Sequence, residues 1–95
     1  VPIFAVHYTY THETFPARQE NRPAHRAFLN NLVDEGTILT SGPYTDGTGA
    51  LILFRAENIE TVEKLLPEDP FAQLGLIEDK RVVEWLPVMG TFSEE

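Results

Sequence analysis

A chain of 95 residues suits one domain with a modest core, and residues 1–95 are expected to form one, with some apolar surface left for an oligomer interface. A content of 42% hydrophobic and 11% aromatic residues excludes general disorder, and a net charge of -8 argues against nucleic acid and anionic membrane as partners. No apolar run reaches the length of a membrane span, and with zero cysteines there is no disulfide framework and no thiolate metal site, so a cytoplasmic location is expected.

Ile3 to Tyr10 reads as a first strand, rich in aromatic and β-branched residues. Ile3, Ala5 and His7 share one face of it; Phe4, Val6 and Tyr8 share the other. Thr11 to Gln19 reads as a polar loop broken by Pro16, long enough to close over a ligand. A helix is expected from about Arg22-Pro23, capped by Asn21, because proline is tolerated in a first turn. Phe28, Leu29, Leu32 and Val33 give it an apolar face at i, i+3, i+4 spacing, and His25 sits at the head of that stripe. Gly36 is the expected stop.

Thr37 to Ser41 is the second expected strand, stopped by Gly42-Pro43, and Asp46-Gly47 signals a hairpin turn. The third strand, Ala50 to Arg55, is again apolar on both faces. Asn58 is the expected cap of a second helix that carries Ile59, Val62, Leu65 and Leu66 and ends at Pro67. Pro70 to Leu74 reads as one extra helical turn, and Ile77 to Leu86 as the last strand. The order is β-α-β-β-α-β, an α+β, ferredoxin-like unit. Two helices cover only one face of a four-stranded sheet, so the other face should meet a ligand or the sheet of a second subunit in a homodimer. The sequence does not say which parity faces that partner.

Arg18, Arg22 and Arg26 recur every four residues and line one side of a helix. They read either as a solvated edge or as a rim beside His25 that attracts a small anion. His7, His12 and His25 show no metal-ligand spacing, so no metal is expected. No phosphate loop, dinucleotide fingerprint or Gly-x-Ser-x-Gly elbow is present, and no cofactor is expected.

The runs Arg22-Pro23-Ala24-His25, Asp34-Glu35-Gly36, Ser41-Gly42-Pro43 and Asp69-Pro70-Phe71, in this order over nearly the whole chain, resemble the YciI-like (YCII-related) family. The resemblance implies the dimeric α/β-barrel fold, in agreement with the two-sided strands. It also implies a His/Asp pair for acid–base chemistry on small molecules, falling here on His25 and Asp69. One relative of that family eliminates HCl from a chlorinated hydroquinone. The segments Thr11 to Gln19 and Pro43 to Gly49 depart from the family pattern and are expected to line the pocket.

Each candidate has a bland reading beside the functional one. His25 is the expected acid/base, since imidazole titrates near neutrality, or else a satisfied histidine between helix and sheet. Asp69, followed by Pro70, reads as a helix cap that also orients His25. Arg22 is expected to bind a substrate carboxylate or phenolate, or to pair with one of the chain's acids. Ser41 ends a strand and either faces a cavity or makes a strand-end hydrogen bond. Tyr8 binds substrate or fills the dimer-facing sheet. The expected function is a small cofactor-independent lyase or isomerase acting on a cyclic or phenolic substrate. The alternative is a non-catalytic module that holds a small, possibly anionic metabolite.

Overall fold

The computed structural model describes residues 1–93. Four strands, β1 (Ile3–Thr9), β2 (Ile38–Pro43), β3 (Gly49–Arg55) and β4 (Asp79–Trp85), form one antiparallel sheet in the order β2-β3-β1-β4. Three helices, α1 (Phe15–Asp34), α2 (Ile59–Leu65) and α3 (Pro70–Gln73), accompany it. The ferredoxin-like α+β fold expected from the sequence is the one found.

The strand parities hold. Phe4, Val6 and Tyr8 of β1 join Ala50, Ile52 and Phe54 of β3 in the main core, which also takes Leu32 of α1, Val62 of α2 and Leu66. Ile3, Ala5 and Leu53 form a second cluster on the opposite face. That face is not bare within one chain, because Phe92 of the C-terminal segment packs against it together with Leu39, Leu51 and Val83. The sequence reading assigns nothing after Leu86 and so misses this cover.

The largest departure lies before His25. The segment read as a loop is a short 3₁₀ turn, His12–Thr14, running straight into α1 at Phe15. Pro16 occupies the first-turn position that had been given to Pro23, and Pro23 lies inside the helix. Asn21 therefore caps nothing; its side-chain amide donates to the Ala17 carbonyl at 2.8 Å, one turn back. Two prolines seven residues apart look like two helix starts, and the chain uses the first.

Other boundaries follow local chemistry. Gly36, at φ 83°, ends α1 in a left-handed position; its N–H donates to Val33 O and that of Thr37 to Leu32 O, closing the last turn. Asn58 Oδ1 accepts the Thr61 N–H at 2.9 Å, as expected of the α2 cap. β2 runs on to Pro43, which an edge strand tolerates, and its register slips between Ile38 and Thr40. Gly49 opens β3 hard against β1: a Cβ there would lie 1.9 Å from the Tyr8 carbonyl oxygen. Among the described residues, no helix is long and apolar enough to cross a membrane.

Candidate active site

α1 buries Arg18, His25 and Leu32, three residues at successive intervals of seven. Seven residues are nearly two helical turns, so all three lie on one stripe against the sheet. Leu32 belongs to the core, while Arg18 and His25 bring polar groups to the edge of it.

His25 Nδ1 lies 2.8 Å from Oδ1 of Asp69, which is fully buried. Their separation of forty-four positions is bridged because α1 and α3 pack together on one face of the sheet. Asp69 caps α3, its Oδ1 accepting the Phe71 N–H at 2.9 Å, as the Asp-Pro sequence predicts. Its other oxygen, Oδ2, accepts the Tyr8 hydroxyl at 3.0 Å. A carboxylate held by these donors accepts from Nδ1, which therefore carries the proton, and Nε2 keeps its lone pair in the neutral ring. The Phe71 ring stacks on the imidazole at 3.9 Å between centroids and 1° between planes, fixing the plane of His25. No buried side-chain nitrogen or oxygen among the described residues lacks a partner. Nε2 has none, so it opens to solvent.

It opens on a cleft of about 720 Å³ between α1 and the β2–β3 hairpin, within the size range of small-ligand sites. Arg18, Arg22, His25 and Arg26 line one wall; Thr40, Ser41 and Gly42 of β2 line another; Tyr10 and Phe71 contribute aromatic surface. Phe15 and Arg18 come from the segment after Thr11, and Tyr44, Thr45 and Gly47 from the hairpin turn, so both segments expected to line a pocket do so. The lining holds three arginines and no Asp or Glu. On a chain of net charge -8, that makes the cleft a local positive region.

The structure thus brings His25, Arg22 and Ser41 to one cleft, with Asp69 behind His25. Arg22 and Ser41 make no side-chain hydrogen bond or ion pair among the described residues, so Arg22 is not tied to an acid and Ser41 makes no strand-end hydrogen bond. Tyr8 is the exception. It faces the helices rather than the outer sheet face, is buried, and reaches Asp69 instead of the cleft. Burial, and then the neighbouring Asp69 carboxylate, push its pKa well above the ordinary phenol value. Tyr8 thus holds the carboxylate behind the pair and does not line the cleft.

Two contributors escaped the sequence reading and a third was left open. Phe71 was noticed only as part of the Asp-Pro-Phe run. Tyr10 was placed at a strand end; burial first, then Asp69, push its pKa up to about 12. Arg18 was left open between a solvated edge and an anion-attracting rim, although its spacing of seven from His25 and of fourteen from Leu32 marks the buried stripe. His7 Nδ1 meets the Tyr44 hydroxyl at 2.8 Å, away from His25. Among the described residues, no three His, Asp or Glu side chains are placed to hold a metal ion.

Known proteins share this architecture. A family model for the YCII-related domain matches residues 3–86. The uncharacterized protein YjpA of Bacillus subtilis is 31% identical over 81 residues, 82% of this chain and 94% of that protein. Protein YciI of Escherichia coli is 30% identical over 76 residues, 70% of this chain and 78% of that protein. The structure of 5-chloro-2-hydroxyhydroquinone dehydrochlorinase (TftG) from Burkholderia phenoliruptrix AC1100, in complex with 2,5-dihydroxybenzoquinone, matches with a TM-score of 0.77. It is 26% identical, and the match covers 87% of this chain and 92% of that one.

Proposed function

We infer that this chain, which belongs to the YCII-related family, is a small lyase or isomerase whose cleft takes a cyclic or phenolic substrate. The observation that carries this reading is the fixed imidazole: Nδ1 tied to Asp69, the ring plane set by Phe71, and Nε2 open to the cleft. Nε2 takes a proton from a ring carbon or ring hydroxyl. The electron pair left behind spreads onto ring oxygen, where Arg22 stabilises the developing negative charge. In an elimination, the leaving group departs from the neighbouring carbon with its bonding pair, and the imidazolium returns its proton to water. In an isomerisation, the imidazolium returns the proton to another carbon. Asp69 keeps the productive tautomer and favours the imidazolium while it lasts.

The dehydrochlorinase named above supports the choice of a hydroquinone as first probe. Chloride release from 5-chloro-2-hydroxyhydroquinone, measured for the wild type and His25→Ala, tests the reading. The expected result is release by the wild type and none above background by a folded His25→Ala. Equal release by both would end it. Tight binding of 2,5-dihydroxybenzoquinone with no turnover of any halogenated or isomerisable ring would favour the other reading, a module that holds a metabolite. The arginines without carboxylate partners suit that role as well.

The working unit is proposed to be a homodimer packed through the outer sheet face. Leu51 and Val83 remain half-buried there, and Trp85, beside Ile3 in the register, is exposed. Sedimentation at micromolar concentration is expected to give a dimer; a monomer would refute it.

A further inference from the structure

Arg18 is 6% exposed, a depth at which a guanidinium is normally neutralised by a carboxylate. The chain has 15 acidic residues, yet among the described residues the contact between basic and acidic groups within ion-pair distance is that of His25 with Asp69. Arg18 is held by neutral groups instead. Its Nε donates to Thr14 Oγ1 at 3.0 Å and its Nη2 to the Thr11 carbonyl at 2.9 Å. The guanidinium lies over the Tyr10 ring at 4.2 Å, with the Phe15 ring at 5.6 Å. Burial pulls its pKa below the ordinary value, as for a cation short of counter-charge.

These contacts use one edge of the guanidinium fork, the one formed by Nε and Nη2. The far edge keeps an N–H from each terminal nitrogen, the pair of donors that matches a carboxylate. Since no buried side-chain nitrogen lacks a partner, Nη1 reaches solvent, and the solvent beside Arg18 is the cleft. Seven residues of helix separate Arg18 from His25, an axial distance of about 10 Å. The Arg18 side chain leans further away, towards Thr14 and Thr11. A carboxylate placed directly on the ring that His25 attacks would fall short of it. Between the two groups runs an aromatic surface, from Tyr10 to Phe71 at 6.1 Å and from Phe71 to His25 at 3.9 Å.

We propose that Arg18 binds a carboxylate, and that the substrate class of the cleft is a cyclic or phenolic ring bearing a carboxylate on an arm, about 10 Å from the atom His25 acts on. This rests on the reading of His25 given above and narrows it. Arg22, between the two on the same helix side, serves the ring oxygen; Arg18 serves the far end of the molecule.

The test compares three probes by calorimetry: 4-hydroxybenzoate, 5-(4-hydroxyphenyl)pentanoate and the amide of the latter. The long acid is expected to bind the wild type at least about tenfold more tightly than its amide, and more tightly than the short acid. Arg18→Gln is expected to bring the long acid down to the level of the amide without changing the amide. Equal binding of acid and amide to the wild type would overturn the proposal, as would an equal loss for both in Arg18→Gln. Should that variant fail to fold, the guanidinium NMR resonances of Arg18 in the wild type decide: they shift with the acid and not with the amide, or the proposal falls. The advantage of acid over amide is expected to persist in His25→Ala. A cleft that keeps that advantage but turns nothing over would remove the catalytic reading and leave the carboxylate site standing.

Discussion

α1 and α2 accompany the same sheet but bury different chemistry. α2, with the turn after it, buries Val62 and Leu66, both members of the main core. α1, nearly three times as long, buries Arg18, His25 and Leu32. A helix present only to cover a sheet would place apolar residues at all three positions, since burying an arginine or a histidine costs free energy unless a partner offsets it. His25 has its partner in Asp69. Arg18 has only hydroxyl, carbonyl and ring contacts. The contrast separates a fastening helix from a working one, and substitutions on the two should separate stability from activity.

The largest effect is expected at His25. His25→Ala should lower turnover of a true substrate by about 10²–10⁴-fold in a variant that still folds, at a stability cost of about 1–3 kcal/mol for the donor lost to Asp69. A variant that melts early and retains activity would reverse the assignment of α1. Next comes Leu66→Ala on the fastening side, with a stability loss of about 2–5 kcal/mol in denaturant titration and unchanged activity per folded molecule. Activity lost in step with stability there would mean that the two helices are not separable. Tyr8→Phe lies between the two roles. It removes the donor to Oδ2 of a buried carboxylate and should cost about 1–3 kcal/mol. It should also move the His25 ring resonances in NMR, which a purely packing tyrosine would leave in place.

The smallest expected effect is alkaline. The Tyr10 pKa is raised in the folded state, so the unfolded chain loses this proton first, near 10. The stabilisation is fully present below pH 10 and fades as pH rises towards about 12. Denaturant midpoints should therefore fall across that window, and in Tyr10→Phe they should fall less.

The sheet was legible because its signals are local. Period-two alternation in Ile3 to Tyr8 and in Ala50 to Phe54 sorts their side chains correctly, and Asn58, Asp69 and Gly36 sit where their backbone chemistry demands. The start of α1 was not, because Pro16 and Pro23 each satisfy the rule for a first turn and nothing local ranks them. Phe92 on the outer face was missed for the opposite reason: its contacts lie with strands far back in the chain. In the site, the His25–Asp69 contact was legible through the family's motif, which carries long-range information that a single helix or strand does not. Tyr8 was left between a substrate contact and the dimer-facing sheet because its parity alone leaves open what lies above it; the position of Asp69 answers that. Arg18 was left between a solvated edge and an anion rim because arginine is exposed so often that its place on the buried stripe carried too little weight.

Gly49 has a consequence for how mutations would be distributed across this protein. A Cβ at that position would overlap the main chain of Tyr8, the residue that holds the second oxygen of Asp69. Even alanine must push β1 sideways and drag the Tyr8 hydroxyl with it. A saturation scan read out by activity should therefore show two intolerant columns of different kinds. At His25 replacements that still fold should fail in chemistry, since the acid–base group itself is gone. At Gly49 even the smallest side chain disturbs the register of two strands before any chemistry is asked of them.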